Sequence, residues 1–261
     1  MDITVANETA TETVEEVDVA EATETSEAAK SEGSESGQET GNEPVPEPRS
    51  GFRFSRDITV LSDPAGPEAE SIGALRTHLL AQHIRDGRRS LAICAPSSGI
   101  GSSYVAVNLA TAFALAGIKT LLIDANMREP SMQNYIEPAD EPIGLQQCLN
   151  DSSLLLGDAI QDDVLPHLSL IYAGGVAENP QELLANNSFK SIIEDCLRDF
   201  EVTIVDTPPS NESADARRIA AIMRYAMLIV RRNDSFVSDL KILSEELQSD
   251  RVKVIGTFLN S

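Results

Sequence analysis

Residues 94–104 read Cys-Ala-Pro-Ser-Ser-Gly-Ile-Gly-Ser-Ser-Tyr and have the composition of a backbone cradle for phosphate. Gly99 and Gly101 let successive N–H groups turn inward around an anion, and a following helix would add its N-terminal dipole. Ser103 stands where a hydroxyl reaches a Mg²⁺ ion. The pattern for such a loop, the Walker A loop, ends Gly-Lys-Ser/Thr, whereas here the run is Gly101-Ser102-Ser103. The lysine normally sets a positive charge against the β- and γ-phosphates during transfer. Ser102 offers a hydrogen bond there and no charge. Taken alone, the same string is also an ordinary polar turn.

Two further stretches place carboxylates beside this loop in the order that phosphate chemistry requires. Residues 121–128 read Leu-Leu-Ile-Asp-Ala-Asn-Met-Arg, and residues 202–209 read Val-Thr-Ile-Val-Asp-Thr-Pro-Pro. Each is an apolar run that ends in an acid, Asp124 or Asp206. Open α/β sheets bind ligands at the carboxyl ends of their strands. The second stretch has the pattern in which a carboxylate holds Mg²⁺. Arg128 lies close enough in sequence to serve as a phosphate ligand. The plainer reading is that both acids end strands and cap the turns that follow. All three features together, in order, favour a site for ATP or ADP with Mg²⁺. In it Gly99, Gly101, Ser102, Ser103 and Arg128 contact nucleotide, and Ser103, Asp124 and Asp206 surround the metal.

The elements needed to position these residues are visible in the hydrophobic pattern. Strands are expected at 90–94, 120–124, 168–173, 202–206, 226–231 and 252–259, with a short one at 58–61. Helices are expected at 68–87, 102–116, 144–149, 154–160, 180–186, 189–200, 214–223 and 235–249, with Gly117 closing the second of these in a left-handed cap. The unbroken apolar character of 120–124 suits a parallel strand covered on both faces. The alternation predicts an α/β fold, a doubly wound, mostly parallel sheet.

Composition restricts what surrounds that domain. Residues 1–50 hold 14 carboxylates against Lys30 and Arg49, with no aromatic side chain. Such a stretch cannot bury enough apolar surface to offset its ordering entropy, so 1–50 is expected to be a disordered acidic tail. Residues 51–67 read as a linker and 68–261 as the domain. The tail accounts for −12 of a net charge of −22, leaving −10 for the rest. No basic face for a phosphate backbone is evident, which argues against nucleic acid. Cys94, Cys148 and Cys196 are scattered and lack metal-ligand spacing, which fits a reduced, cytoplasmic compartment. No apolar run approaches the roughly 20 residues of a membrane-spanning helix. Direct insertion is not expected, so any place at the inner membrane would come through a partner.

Residues 68–260 resemble the P-loop ATPase domain of bacterial tyrosine autokinases from capsule and exopolysaccharide systems, relatives of the partition and division-site ATPases. Besides the three motifs, Leu75-Arg76-Thr77-His78-Leu79 resembles the family's Leu-Arg-Thr-Asn-Leu. Residues 179–184, Asn-Pro-Gln-Glu-Leu-Leu, resemble its Asn-Pro-x-Glu-Leu-Leu, and 254–260 resemble its closing strand. Departures accompany the likeness. Ser102 replaces the lysine, Pro96 stands where Gly or Ala is usual, and Asn126 replaces the second acid of Asp-x-Asp. The ring-assembly pattern Glu-x-x-Arg-x-x-Arg survives as Glu70, Gly73 and Arg76. The tyrosine cluster that follows the family's last strand is not in the sequence, whose tyrosines (Tyr104, Tyr135, Tyr172, Tyr225) are dispersed.

The resemblance implies a degenerate, tyrosine-kinase-like regulator of polysaccharide polymerisation and export, with weak or absent ATP turnover. It implies as partner a membrane co-polymerase or chain-length protein, and it leaves a homo-oligomer open. Two alternatives stand beside it. One is a working autokinase, with Asp124 and Asp206 catalytic and Arg128 or a neighbouring subunit supplying charge. The other is a partition-type or positioning ATPase.

Overall fold

The computed structural model describes residues 48–84 and 87–260. The acidic stretch 1–47, expected to be disordered, lies outside the described residues. The chain opens with strand β1 (Phe52–Phe54), helix α1 (Thr59–Ser62) and helix α2 (Pro67–Gln82), which begins on a proline pre-set for the first helical turn. Strand β2 (Ser90–Cys94) leads through the glycine loop into α3 (Ser102–Leu115), and β3 (Thr120–Asp124) follows. A short 3₁₀ turn and β4 (Ile136–Pro138) precede α4 (Leu145–Asn150), α5 (Leu156–Ala159), β5 (Gln161–Leu165) and β6 (Leu168–Ile171). The rest runs α6 (Pro180–Ala185), α7 (Asn187–Asp199), β7 (Val202–Asp206), α8 (Asp215–Met223), β8 (Tyr225–Arg231), α9 (Val237–Ser249) and β9 (Lys253–Asn260).

Seven strands form one sheet in the order β5-β6-β3-β7-β2-β8-β9, parallel except where β5 pairs antiparallel with β6. The mostly parallel α/β sheet expected from the alternation is the fold observed. Side chains alternate between two cores. Leu91, Ile93, Leu122 and Ile204 pack under α2 and α3, while Ala92, Cys94, Leu121, Ile123 and Val205 pack under α4, α7, α8 and α9. Because β2, β3 and β7 are buried along their whole length, they are mostly apolar, with only Ser90, Thr120 and Thr203 polar before the acids that end β3 and β7. Helix α3 is buried from Val105 to Ala114. Phe113 is fully enclosed, so its truncation to alanine should cost about 3–5 kcal/mol. Gly117 closes this helix at φ +76°, with its N–H on the Ala114 carbonyl and that of Ile118 on Phe113.

The topology fixes where a ligand can bind. Strand β2 lies between β7 and β8, and the next strand, β3, lies beyond β7. Chain connections therefore diverge at the carboxyl end of β2, which opens a crevice beside the loop.

Three expectations differ from the structure. Residues 58–61, expected as a strand, begin helix α1, with the Val60 N–H and the Thr59 hydroxyl both on Asn108 Oδ1 at 3.3 and 3.2 Å. The supposed linker, 51–67, is packed on the domain: β1 pairs with β4, and Ile58 and Val60 are buried. Strands β1, β4 and β5 had no counterpart in the hydrophobic pattern.

Candidate phosphate-binding site

The loop between β2 and α3 has the backbone that its glycines allow. Gly99 and Gly101 adopt φ +73° and +87°, and Gly101 is the N-cap of the 14-residue α3. Both angles lie in the left-handed region, where a β-carbon is strained. The loop entrance is tied to the segment after β7. Ser210 and Asn211 donate backbone N–H groups to the Ala95 and Pro96 carbonyls, and the Thr207 hydroxyl bonds the Ile93 carbonyl at 2.8 Å. Ser102 is the first helical residue and Ser103 the second. The helix thus presents unpaired N–H groups and the positive end of its dipole to the crevice.

Beneath the loop lies a pair of carboxylates. Asp124 and Asp206 are direct partners in the parallel register of β3 and β7, and both are fully buried. The period-two alternation sends both toward the α3 face of the sheet. Ser103 donates its hydroxyl to Asp206 Oδ2 at 2.5 Å. Asp206 Oδ1 is buried with no hydrogen-bond partner among the described residues. Asp124 is better satisfied: it accepts backbone N–H groups from Asn126, Ser131 and Met132 at 3.0, 3.1 and 3.2 Å.

Burial governs the charge of this pair. It pushes the Asp124 carboxyl up to about 6, against the pull of its three backbone donors. Burial also raises Asp206 well above the usual carboxylate range, and the neighbouring Asp124 charge raises it further; Ser103 and the Thr207 N–H oppose both. Two buried acids side by side resist being ionised together unless a cation joins them. The orphaned Asp206 oxygen and the adjacent Ser103 hydroxyl fit a hard, oxygen-seeking ion such as Mg²⁺, with water and phosphate oxygens completing its shell. No cluster of three or more His, Cys, Asp or Glu able to hold a metal occurs among the described residues. These side chains suit a metal that arrives with a nucleotide rather than a resident structural ion.

The other expected site residues are placed differently. Arg128 donates Nε to Asp215 Oδ2 at 2.7 Å, an ion pair with a nearly buried acid at the start of α8. Asn126 Oδ1 accepts the Glu129 N–H at 3.1 Å, so the neutral amide caps its own turn. Arg76, of the partial ring pattern, bonds the Ala112 carbonyl of α3 at 3.3 Å instead of projecting outward.

The structure also gathers residues that sequence spacing did not reveal. Tyr135, just past the turn that caps Asp124, sits near Asp206: burial pushes its hydroxyl up to about 12, and the Asp206 and Asp57 charges add to this. Tyr104 lies alongside, its hydroxyl 2.9 Å from Thr59 Oγ1. From the other flank, Arg231 and Asn260 reach the loop backbone. Cys94 is buried, its thiol pushed up to about 12 by desolvation, so it stays neutral and unreactive.

Known proteins resemble this chain over the elements that carry the site. Residues 90–255 match the ATPase MipZ family. CapB of Staphylococcus aureus is 29% identical over 203 residues, covering 78% of this chain and 88% of that protein. The tyrosine-protein kinase CpsD of Streptococcus agalactiae is 31% identical over 191 residues, covering 73% and 82%. Among solved structures, the kinase domain of Escherichia coli tyrosine kinase ETK superposes with a TM-score of 0.70 at 25% identity, covering 78% and 79%. Other relatives are far longer: the aligned part of this chain spans 26% of EpsB from Ralstonia solanacearum. A glycine loop before a buried helix, two in-register aspartates beneath it and these likenesses agree: the chain belongs to the P-loop ATPase family of bacterial tyrosine-protein kinases.

Proposed function

We propose that this chain is a regulatory member of its family, one that holds Mg-ATP or Mg-ADP and turns ATP over slowly or not at all. The observation that carries this reading is Ser102 at the start of α3, where the glycine loop and the buried Asp124 and Asp206 are in place beside it. The loop amides and the α3 terminus bind phosphate oxygens. Ser103 and Asp206 orient the metal side of the site, and Asp124 can take up a proton near neutral pH. When bound, Mg²⁺ supplies positive charge that offsets the phosphate oxygens. No fixed charge stands at position 102 to meet the charge that builds up during transfer. Loss of such a preorganised group typically costs about 3–4 kcal/mol of barrier, a few hundredfold in rate.

The biological setting follows from the family. The chain would act in capsule or exopolysaccharide polymerisation and export, docked in the cytoplasm on a membrane co-polymerase or chain-length protein. Among the described residues no helix is long and apolar enough to cross a membrane, which accords with attachment through a partner.

Phosphate release from MgATP by the wild-type chain and by Ser102→Lys tests the reading. The variant should be faster by a few hundredfold. Equal rates at the level of lysine-bearing relatives would overturn the proposal. A second reading, an active tyrosine autokinase, is favoured by the intact Ser103–Asp206 contact. It requires phosphotyrosine on wild-type protein incubated with MgATP, and its loss in Asp206→Asn.

A further inference from the structure

The loop is held from the side opposite the acids. Strands β8 and β9 run parallel, and Arg231 and Asn260 are partners in their register. Both lie at the carboxyl ends of their strands, beside the loop that leaves β2. Arg231 Nη1 donates to the Gly99 carbonyl at 3.1 Å, and Asn260 Nδ2 donates to the Ile100 carbonyl at 2.9 Å. Asn260 sits so close that a β-carbon on Gly101 would lie 2.3 Å from its Nδ2. Two consecutive loop carbonyls are thus drawn toward β8 and β9. A peptide plane is rigid, so drawing its C=O one way turns the following N–H the other way. The N–H groups that follow these carbonyls belong to Ile100 and Gly101.

The guanidinium carries more than this hydrogen bond. It has five donors and a charge that persists at any physiological pH. Its nearest described counter-charge, Asp234, is 3.5 Å away, and the side chain is 46% exposed. A long-lived positive charge therefore stands against the very loop whose sequence lacks its lysine.

We propose that Arg231 and Asn260 clamp the phosphate loop, and that Arg231 supplies the loop with the fixed positive charge against which a nucleoside polyphosphate binds. This rests on the nucleotide-binding reading. It goes beyond it by assigning the charge to a residue 129 positions from Ser102 in sequence. Arg231 is a positioning and binding residue in this account, and its charge lies to the side of the loop instead of at the start of α3. Binding can therefore survive while turnover does not.

The test uses the full chain, with MgADP and magnesium tripolyphosphate as probes in calorimetric titrations at low and high salt. Arg231→Gln should raise the Kd of both probes about tenfold and flatten the salt dependence, while Arg231→Lys stays within about threefold of wild type. Hydrogen exchange without ligand should speed up at the amides of 99–103 in both Arg231→Gln and Asn260→Ala. An Arg231→Gln variant within about twofold of wild type for MgADP would overturn the charge assignment. So would a loss seen for MgADP and absent for tripolyphosphate, which would place Arg231 on the nucleoside. If wild-type protein binds neither probe at millimolar concentration, the nucleotide reading falls, and unchanged loop exchange in the two variants would then overturn the clamp as well.

Discussion

The loop after β2 and the acidic floor at the ends of β3 and β7 form two walls of one crevice, and they are built on different terms. The floor is set by sheet register: Asp124 and Asp206 face each other because their strands pair, and both are buried. The loop is set by backbone conformation, through two glycines at positive φ and two carbonyls held by distant side chains. Shape is secured in both walls by many atoms. Charge at position 102 depends on one side chain, and there it is absent. A glycine loop over two paired aspartates therefore forms in this fold with serine in place of lysine at position 102.

The floor should show the larger effects. Burial pushes Asp124 up to about 6 against its usual 3.8, and Asp206 is raised well above the usual range, so the folded chain holds extra protons across that interval. The stability linked to Asp124 is fully present below pH 4 and is lost as pH rises through about 6; Asp206, also raised, acts in the same direction. Asp206→Asn removes a buried carboxyl whose ionised form the fold disfavours. At pH 7, without nucleotide, it should raise stability, an advantage that shrinks toward pH 4. Urea unfolding across this pH range measures it, and a gain independent of pH would contradict the account. The same variant should lose Mg²⁺-dependent nucleotide binding, an instance of stability exchanged for function.

Next comes the loop wall. Gly101→Ala meets both a left-handed φ and the Asn260 side chain. It should cost about 1–3 kcal/mol in stability and weaken MgADP binding. Paired with Asn260→Ala, which removes the obstacle, part of that cost should return. A double-mutant cycle in urea reads the coupling, and strict additivity would show that the contact is immaterial.

Outside both walls the effect should be smallest on the ligand. Arg128→Ala leaves the buried Asp215 without its partner and should destabilise the chain by about 1–2 kcal/mol, since Arg128 itself is one-third exposed. MgADP affinity should change little. A loss of affinity without a loss of stability would return Arg128 to the nucleotide site.

The sequence was most informative where local chemistry and tertiary burial agree. Strands β2, β3 and β7 are mostly apolar runs, and their bounds were read as they stand in the structure. Strand β5 could not be read this way: its Gln161-Asp162-Asp163 start is largely exposed, and its place depends on pairing with β6. Residues 58–61 misled because a short apolar run has no readable period, and the helix there is secured by Asn108, a contact about fifty positions away. The site divides in the same manner. Gly99, Gly101, Ser103, Asp124 and Asp206 are motif residues at fixed spacing. Arg231, Asn260 and Tyr135 reach the crevice through strand order and turn geometry, which no local pattern encodes.

Calorimetric titration of the full chain with ADP, with and without Mg²⁺, tests the central claim most directly. The account predicts Mg²⁺-dependent binding in the micromolar range, lost in Asp206→Asn. No binding up to millimolar MgADP would mean that the crevice keeps the shape of a nucleotide site without its affinity, and would contradict the claim.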